Sequence, residues 1–440
     1  MMNTALQTEK RAPEYILGFD EAAFNGLDSR NEPSFVKVAR EEAFSLYKSL
    51  PSPHGRMEEW RRTDPARFPF AKLAGLKKLG FSAVSAPGEW DDQFDVVVTI
   101  ADDSFGIRDV SGVLKAQTIL VQPLEDAAGK HPELVRDHLK NHARGEAAGK
   151  FETLNDSFWN VGIFIHIPAG VELTRGILIR YNLMLPQSVC VPRLLVVAGE
   201  RSKATVVEHM TSPDAPLIQT VMAKEFYIAP SANVRVISLQ EWGANTFHIA
   251  NDWARIEREG KIDWVTLNFG SRLSKMSFGS DVVGEGASAE LDGLYFATGE
   301  QHFDQRTLQV HSSPRTTSNL LYKGAVKDKA RSVYQGLIIA RPGANGVDAY
   351  QKNNNLVLSD GARADSLPGL QIDTDDLKCS HGSTIGNLDP EQLFYLRSRG
   401  LDENEARRIL IKGFCEDIAG RIPYEFVREA VSRQVDSRIG

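Results

Sequence analysis

The chain has 440 residues, 42% of them hydrophobic and 25% charged, the balance of a soluble globular protein with room for one large domain or a few ordinary ones. Its net charge of −7 argues against a nucleic-acid binder, which needs a basic face, and its three cysteines (Cys190, Cys379, Cys415) exclude a disulfide framework or a self-contained metal site. Any metal chemistry must borrow ligands from elsewhere. The longest apolar runs fall short of the roughly 20 residues of a membrane span. The N-terminus lacks the apolar core of a secretory signal, so a cytoplasmic protein without membrane association is expected.

Residues 1–157 read as a mixed helical region. Val36, Ala39, Ala43, Phe44, Tyr47 and Leu50 recur at helical spacing until Pro51 and Pro53 stop them. Val96–Ile100 reads as a strand, and His131–His142 as an amphipathic helix with Leu134, Val135 and Leu139 on one face.

Residues 158–386 change texture into short β-type segments separated by Gly, Asn, Asp and Ser turns. These are Gly162–Ile167, Gly176–Tyr181, Arg193–Ala198, Ala204–Glu208, Glu225–Ile228, Val234–Leu239, Trp264–Phe269, Leu308–Val310, Ser332–Ile339 and Asn355–Leu358. A faint repeat of polar turn, small residue and alternating strand aligns on Ala204, Asn233, Ile262, Ala289, Ala330 and Ala362, at spacings of 27 to 41 residues. The strands are too many for one ordinary sandwich and favour a β-solenoid, whose coils cover one another's edges.

Residues 387–440 read as a helical domain. Asp389-Pro390-Glu391-Gln392 opens a helix that Gly400 stops. Asp402 and Glu405 start a second, with Ala406, Ile409, Leu410, Gly413 and Phe414 on its stripe and Gly420 as its stop. Pro423 opens a third, striped by Phe426, Val427, Ala430, Val431 and Val435.

From Thr307 to Gly420 the words TTSNLLYKGAVKDKARSVYQGLI, DAYQKNNNLVLSDGARADSLPGLQI and DDLKCSHGSTIGNLDPEQLFYLRSRGL, with Gly413–Phe414 beyond, closely resemble the C-terminal half of the SufB/SufD family of iron–sulfur cluster assembly scaffolds. Weaker echoes run upstream through FETLNDSFWNVGIFIHIPAGV, HPELV and the Leu50–Asp64 segment. The resemblance implies a mainly β fold: a right-handed parallel β-helix between an N-terminal mixed α/β region and a C-terminal helical domain. It further implies a non-enzymatic scaffold that pairs with a SufB-type scaffold, or with itself when alone, and docks a SufC-type ATPase. Iron or a nascent iron–sulfur cluster would be shared with the partner, with none held by the isolated chain. The CSHG word and EEWRRTD are similar to SufD rather than SufB, which makes His381 the residue facing the SufB cysteine. Two rival readings are a SufB-like scaffold carrying the cluster itself and a β-helix polysaccharide lyase or hydrolase, the latter by analogy of fold alone.

Residue chemistry bears on these readings independently. In a strand, Cys379 and His381 point to one face, and thiolate with imidazole suits iron. The bland alternative is a buried structural cysteine beside a turn histidine. Cys190, Cys415, His302 and His311 read as packing residues, and Gly284-x-Gly286-x-x-Ala289 as a repeat turn, since a strand-like segment follows it where a dinucleotide fingerprint needs a helix. Asp373, Asp375 and Asp376 read as a solvated turn. The sequence contains no GxxxxGK[ST], so ATP would be handled by a separate subunit. Phe394, Tyr395, Leu396, Arg397 and Arg399 offer more aromatic and apolar surface than a small helical cap needs, either to shield the solenoid's end or to dock the ATPase.

Overall fold

The computed structural model describes residues 14–29, 32–73, 76, 88–102, 104–116, 118–139 and 149–439. The N-terminal region contributes α1 (Glu21–Asn25), α2 (Ser34–Ser49), α3 (Leu124–Lys130), α4 (Pro132–Leu139) and α5 (Lys150–Phe158). Helix α2 forms where the apolar spacing expects it, burying Val36, Phe44 and Tyr47, and ends before Pro51. The part of the expected His131–His142 helix beyond Leu139 lies outside the described residues. Three strands close the first edges of the solenoid. β1 (Val96–Ala101) runs parallel to the solenoid and pairs antiparallel with β2 (Ser104–Asp109), while β3 (Leu120–Pro123) pairs antiparallel with the first coil.

Eight coils follow, each giving one strand to either of two sheets. They are β4 (Val161–Ile167) with β5 (Ile177–Asn182); β7 (Pro192–Ala198), preceded by the short β6 (Ser188–Cys190), with β8 (Lys203–Thr211); and β9 (Ile218–Ile228) with β10 (Asn233–Glu241). Next come β11 (Thr246–Ile256) with β12 (Lys261–Asn268), β13 (Leu273–Val282) with β14 (Ser288–Ala297), and β15 (His302–His311) with β16 (Thr317–Val326). β17 (Arg331–Ala340) with β18 (Val347–Val357) and β19 (Arg363–Ile372) with β20 (Leu377–Gly386) complete the stack. The first sheet runs β2-β1-β5-β8-β10-β12-β14-β16-β18-β20 and the second β19-β17-β15-β13-β11-β9-β7-β4-β3. Pairing between successive coils is parallel and in register. This is the β-solenoid that the strand spacing favours.

The register also corrects the repeat. Lys203, Asn233, Lys261, Ser288, Thr317, Asp348 and Lys378 are successive ladder neighbours, so the coil is 27 to 31 residues long. Val234, not Asn233, lies opposite Ala204, and Ala330 and Ala362 precede strands of the other sheet. A coil has two corners of similar composition, and the sequence alignment drifted from one to the other. At the corner into the first sheet Gly170, Arg201, Ser231, Glu259, Gly286, Arg315 and Gly346 all have positive φ, and each donates its N–H to a carbonyl of the next coil. The Gly284–Ala289 segment is one of these corners: a Cβ on Gly284 would run into the backbone of Arg258 in the preceding coil.

Strands β6, β11, β13, β14, β16, β19 and β20 are absent from the ten sequence-based segments, and β9 is far longer than its expected Glu225–Ile228. For β9, β11, β13 and β16 the cause is burial on both faces, whereas β19 and β20 form the open last coil and are mostly half-buried or exposed. The lumen holds one apolar cluster, from Val96 to Tyr334. The N-terminal helices cover the outside of the second sheet at Phe164, Leu195, Val221, Ile249 and Leu273. Helices α7 (Glu403–Ala419) and α8 (Glu425–Ile439) cover the outside of the first at Val207, Ile237, Val265, Leu294 and Phe296. With both faces covered, the period-two alternation disappears.

The C-terminal caps form as read. Asp389 accepts from the Glu391 N–H at the start of α6 (Pro390–Ser398), Asp402 accepts from the Glu405 N–H, and Gly400 has φ +96°. Gly420 ends α7 in the right-handed region, at φ −64°. The stripe of α7 is rotated from the expected one. Ala406, Ile411, Cys415, Ile418 and Ala419 are buried, whereas Ile409 is 44% exposed and Gly413 is exposed, because α7 meets the sheet and α8 through its 411/415/418 face. Among the described residues no helix is long and apolar enough to cross a membrane.

Candidate functional site at the open end of the solenoid

β20 and β19 end the two sheets, and among the described residues neither has a further strand beside it. Ladder register sets Cys379 beside Ala349, His381 beside Gln351 and Ser383 beside Asn353. Ala349, Gln351 and Asn353 are buried lumen residues, so Cys379, His381 and Ser383 belong to the lumen-side row of the last strand. With no coil above them, His381 is exposed and Cys379 half-buried.

The two candidate ligands thus share a face, with Cα atoms about 7 Å apart at strand rise. Their settings differ. Cys379 packs with Leu377 against Ile338, Ala344, Val347 and Ala349, and this burial pushes its thiol pKa up. A free thiolate is therefore disfavoured until a metal displaces the proton. A soft sulfur and an imidazole fit iron as donors, but two ligands fall short of a closed four-ligand set. Among the described residues no three His, Cys, Asp or Glu side chains converge to hold a metal ion.

A polar network secures this end. The Ser383 hydroxyl donates to Ser366 at 2.8 Å, Ser366 to Asn353 at 2.8 Å, Asn355 to Asn353 at 2.7 Å and Tyr295 to Asn355 at 2.5 Å. Around it Tyr350, Leu370, Ile372 and Ile385 are exposed, the apolar content that an unpaired edge is expected to avoid unless it pairs.

The other candidates fall into separate places. α6 buries none of its residues: Phe394 is 74% and Tyr395 56% exposed. The Arg399 guanidinium lies 5.2 Å from the Tyr395 ring centroid, and Arg397 faces Glu403 at 3.6 Å. The shielding reading of this helix is therefore corrected. It packs beside α7, and the helical domain sits on the outer face of the first sheet, leaving the solenoid's end uncovered. Lys323 anchors that domain through Asp417 and the Phe414 carbonyl, Arg421 through Asp292 at 2.8 Å, and Tyr424 through the Arg175 carbonyl.

His302 and His311 are buried strand residues. His302 meets Thr63 and Arg67 at 2.9 Å each on the outer face, and His311 bonds Thr316 and Ser318 at 2.8 Å each. Thr63 also contacts Asp304, and Arg306 holds Glu59 at 2.7 Å, so the EEWRRTD segment is a latch on the second sheet. Cys190 and Cys415 are buried with pKa values pushed up to about 12 by desolvation. Asp373 and Asp376 lie in the exposed turn between β19 and β20.

Sequence reasoning missed Lys224. Its ammonium lies in the lumen between Glu208 at 2.8 Å and Asp252 at 3.1 Å, all three buried. A lone lysine in a strand gives no signal of this, since its partners lie 16 and 28 residues away and meet it only across the closed coil.

The SufBD core domain of the SUF system for FeS cluster assembly matches residues 182–414, and the SufBD N-terminal region matches residues 92–179. The chain is a member of the SufBD family. Iron–sulfur cluster assembly SufBD family proteins are also found among its relatives. One from Mycobacterium tuberculosis is 39% identical over 223 residues, which cover 49% of this chain and 56% of the relative. Another from Synechocystis sp. is 28% identical over 421 residues, covering 93% and 92%. A third, from Staphylococcus epidermidis, is 26% identical over 319 residues, covering 72% and 68%. The chain thus spans little more than half the length of its mycobacterial SufBD relatives. The SufBD core match contains the last strand, α6 and most of α7, so the open end and the exposed helix both belong to the family's shared part.

Proposed function

We propose that this SufBD protein is a SufD-like, non-enzymatic scaffold of the SUF system, working in the cytoplasm. Its open end pairs with a SufB-type scaffold, and iron or a nascent cluster is shared across that contact as cargo. The observation that carries the reading is His381, an exposed imidazole on the terminal strand at the free edges of two sheets. Exposed Leu370, Ile372 and Ile385 support pairing there, because a long apolar edge in water invites another strand. Cys379 is a second, weaker ligand, its thiol held protonated by burial until metal binds. Phe394, Tyr395, Arg397 and Arg399 form the docking face for a SufC-type ATPase, since α6 buries none of its residues and leaves both aromatic rings exposed.

In the complex of this chain with a SufB-type scaffold and a SufC-type ATPase, His381→Ala is expected to lower iron or cluster yield while the complex stays assembled. Unchanged iron content would remove His381 from the site. A full cluster on the isolated chain would instead favour a SufB-like role.

A further inference from the structure

The lumen-side row of the last strand is held at both ends and free in the middle. At one end Cys379 packs with Ile338, Ala344, Val347 and Ala349. At the other the Ser383 hydroxyl donates to Ser366, which belongs to the opposite sheet. His381 lies between them, and its side chain has no hydrogen-bond or ion-pair partner among the described residues. Gln351, its ladder neighbour one coil back, is fully buried, and its amide lies over Gly336 without a hydrogen-bond partner. The position of the imidazole is therefore set by the strand that carries it.

Among the described residues β20 pairs with β18 alone, and it is half-buried or exposed along its length. Such a strand has little to stop it opening locally. The side-chain bonds that tie it across the lumen converge on one residue. Asn353 Oδ1 accepts from Ser366 of β19 at 2.8 Å and from Asn355 Nδ2 at 2.7 Å, and Asn353 Nδ2 donates to the Tyr322 carbonyl at 3.3 Å. An amide suits this place, because it accepts and donates without burying a charge. Asn353 is fully buried, and Asn355 accepts from the Tyr295 hydroxyl two strands deeper in the first sheet. The phenol reaches that far because β16 presents Gly324 between them, where a Cβ would run into the Tyr295 ring. The network thus links the buried stack to its outermost strand through Asn353, Ser366 and Ser383.

We propose that Asn353 and Ser366 are positioning residues for His381. They bolt β20 to β19 across the lumen and so fix the imidazole at the edge where a partner meets it. This rests on the reading of His381 as the residue that faces the partner and the shared cargo. With Cys379 packed two residues before it and Ser383 bonded two residues after it, the strand at His381 is ordered before the partner arrives. Less ordering is then left to be done at the contact.

The test uses hydrogen exchange by mass spectrometry on the full-length protein to follow residues 377–386. The His381 Cε1–H resonance, assigned by its loss in His381→Ala, follows the ring by NMR. In Asn353→Ala and Ser366→Ala the ladder amides of that segment should exchange up to about tenfold faster, the size expected of one or two lost hydrogen bonds. The segments from β11 to β15 should keep their exchange rates, and the His381 resonance should shift or broaden. Ser366→Thr keeps the hydroxyl and should match the unaltered protein in both measurements. Ser366 is only half-buried, so its variants decide the matter if Asn353→Ala fails to fold. Unchanged exchange and an unchanged resonance in Ser366→Ala overturn the proposal, as does a loosening that Ser366→Thr shares or that spreads through all the coils. In the complex with a SufB-type scaffold and a SufC-type ATPase, Ser366→Ala should lower iron yield and Ser366→Thr should not. Iron yield untouched by His381→Ala removes the cargo role of His381, while local loosening in Ser366→Ala still upholds the bolt. Yield lost in His381→Ala but full in a loosened Ser366→Ala overturns the positioning role.

Discussion

His248, His302 and His311 are sealed from water, and burial holds their pKa values down, to about 3, 4 and 4. Arg67 adds to the effect at His302 and Lys224 at His248. Each is neutral in the fold and titrates near 6.5 in the unfolded chain, so below that pH the unfolded state binds more protons. Stability is therefore full above pH 6.5 and falls as pH drops toward 4, with up to about 3 kcal/mol at stake per histidine. Thermal denaturation from pH 7 to pH 4 should show a falling midpoint, and His311→Gln should flatten part of that slope. Lys224 presents the opposite problem, a charge retained in the lumen by two carboxylates. Lys224→Met removes the cation between the buried Glu208 and Asp252 carboxylates and should cost about 3–5 kcal/mol in urea unfolding. The triple variant Lys224→Met, Glu208→Gln, Asp252→Asn should recover much of that loss. The sequence made the pair Cys379 and His381 legible, because two positions apart in a strand means one face. It could not make the Lys224 partners legible, because those contacts depend on closure of the coil.

The helical elements carried the clearest local signals. Asp389, Asp402 and Gly400 cap their helices by short-range hydrogen bonding and backbone conformation, which need no tertiary partner. The stripe of α7 was read one position off, because which face is buried depends on where α8 and the sheet lie. α6 meets α7 along one side and leaves Phe394 and Tyr395 in water. Phe394→Asp and Tyr395→Asp should change the urea midpoint by less than about 0.5 kcal/mol equivalent, as expected of exposed positions. The same variants should abolish co-purification of a SufC-type ATPase. Retained binding would move the dock to another surface.

The whole molecule is a stack whose two ends are treated differently. Antiparallel β2 and β3 finish the first end of the two sheets, while β19 and β20 leave the other end open. Exposed Leu370, Ile372 and Ile385 at that end should drive association of the isolated chain or pairing with a second scaffold. Ile372→Lys with Ile385→Lys should shift the mass measured by light scattering toward monomer, with an unchanged circular dichroism spectrum. A dimer that persists in this variant would place the contact elsewhere.

By itself the sequence determined a run of turn-punctuated strands of solenoid type, the capped helices at its end, the scarcity of soft metal ligands and the resemblance to SufBD scaffolds. These are local or compositional properties, written in adjacent residues. The tertiary structure decided which strand faces line the lumen, which are covered by helices, and that His381 lies in the open last coil. It also set β11, β13 and β15 side by side in the second sheet. Such neighbours are about one coil apart in the chain and one strand spacing apart in space, a proximity that exists only once the coils are closed and in register.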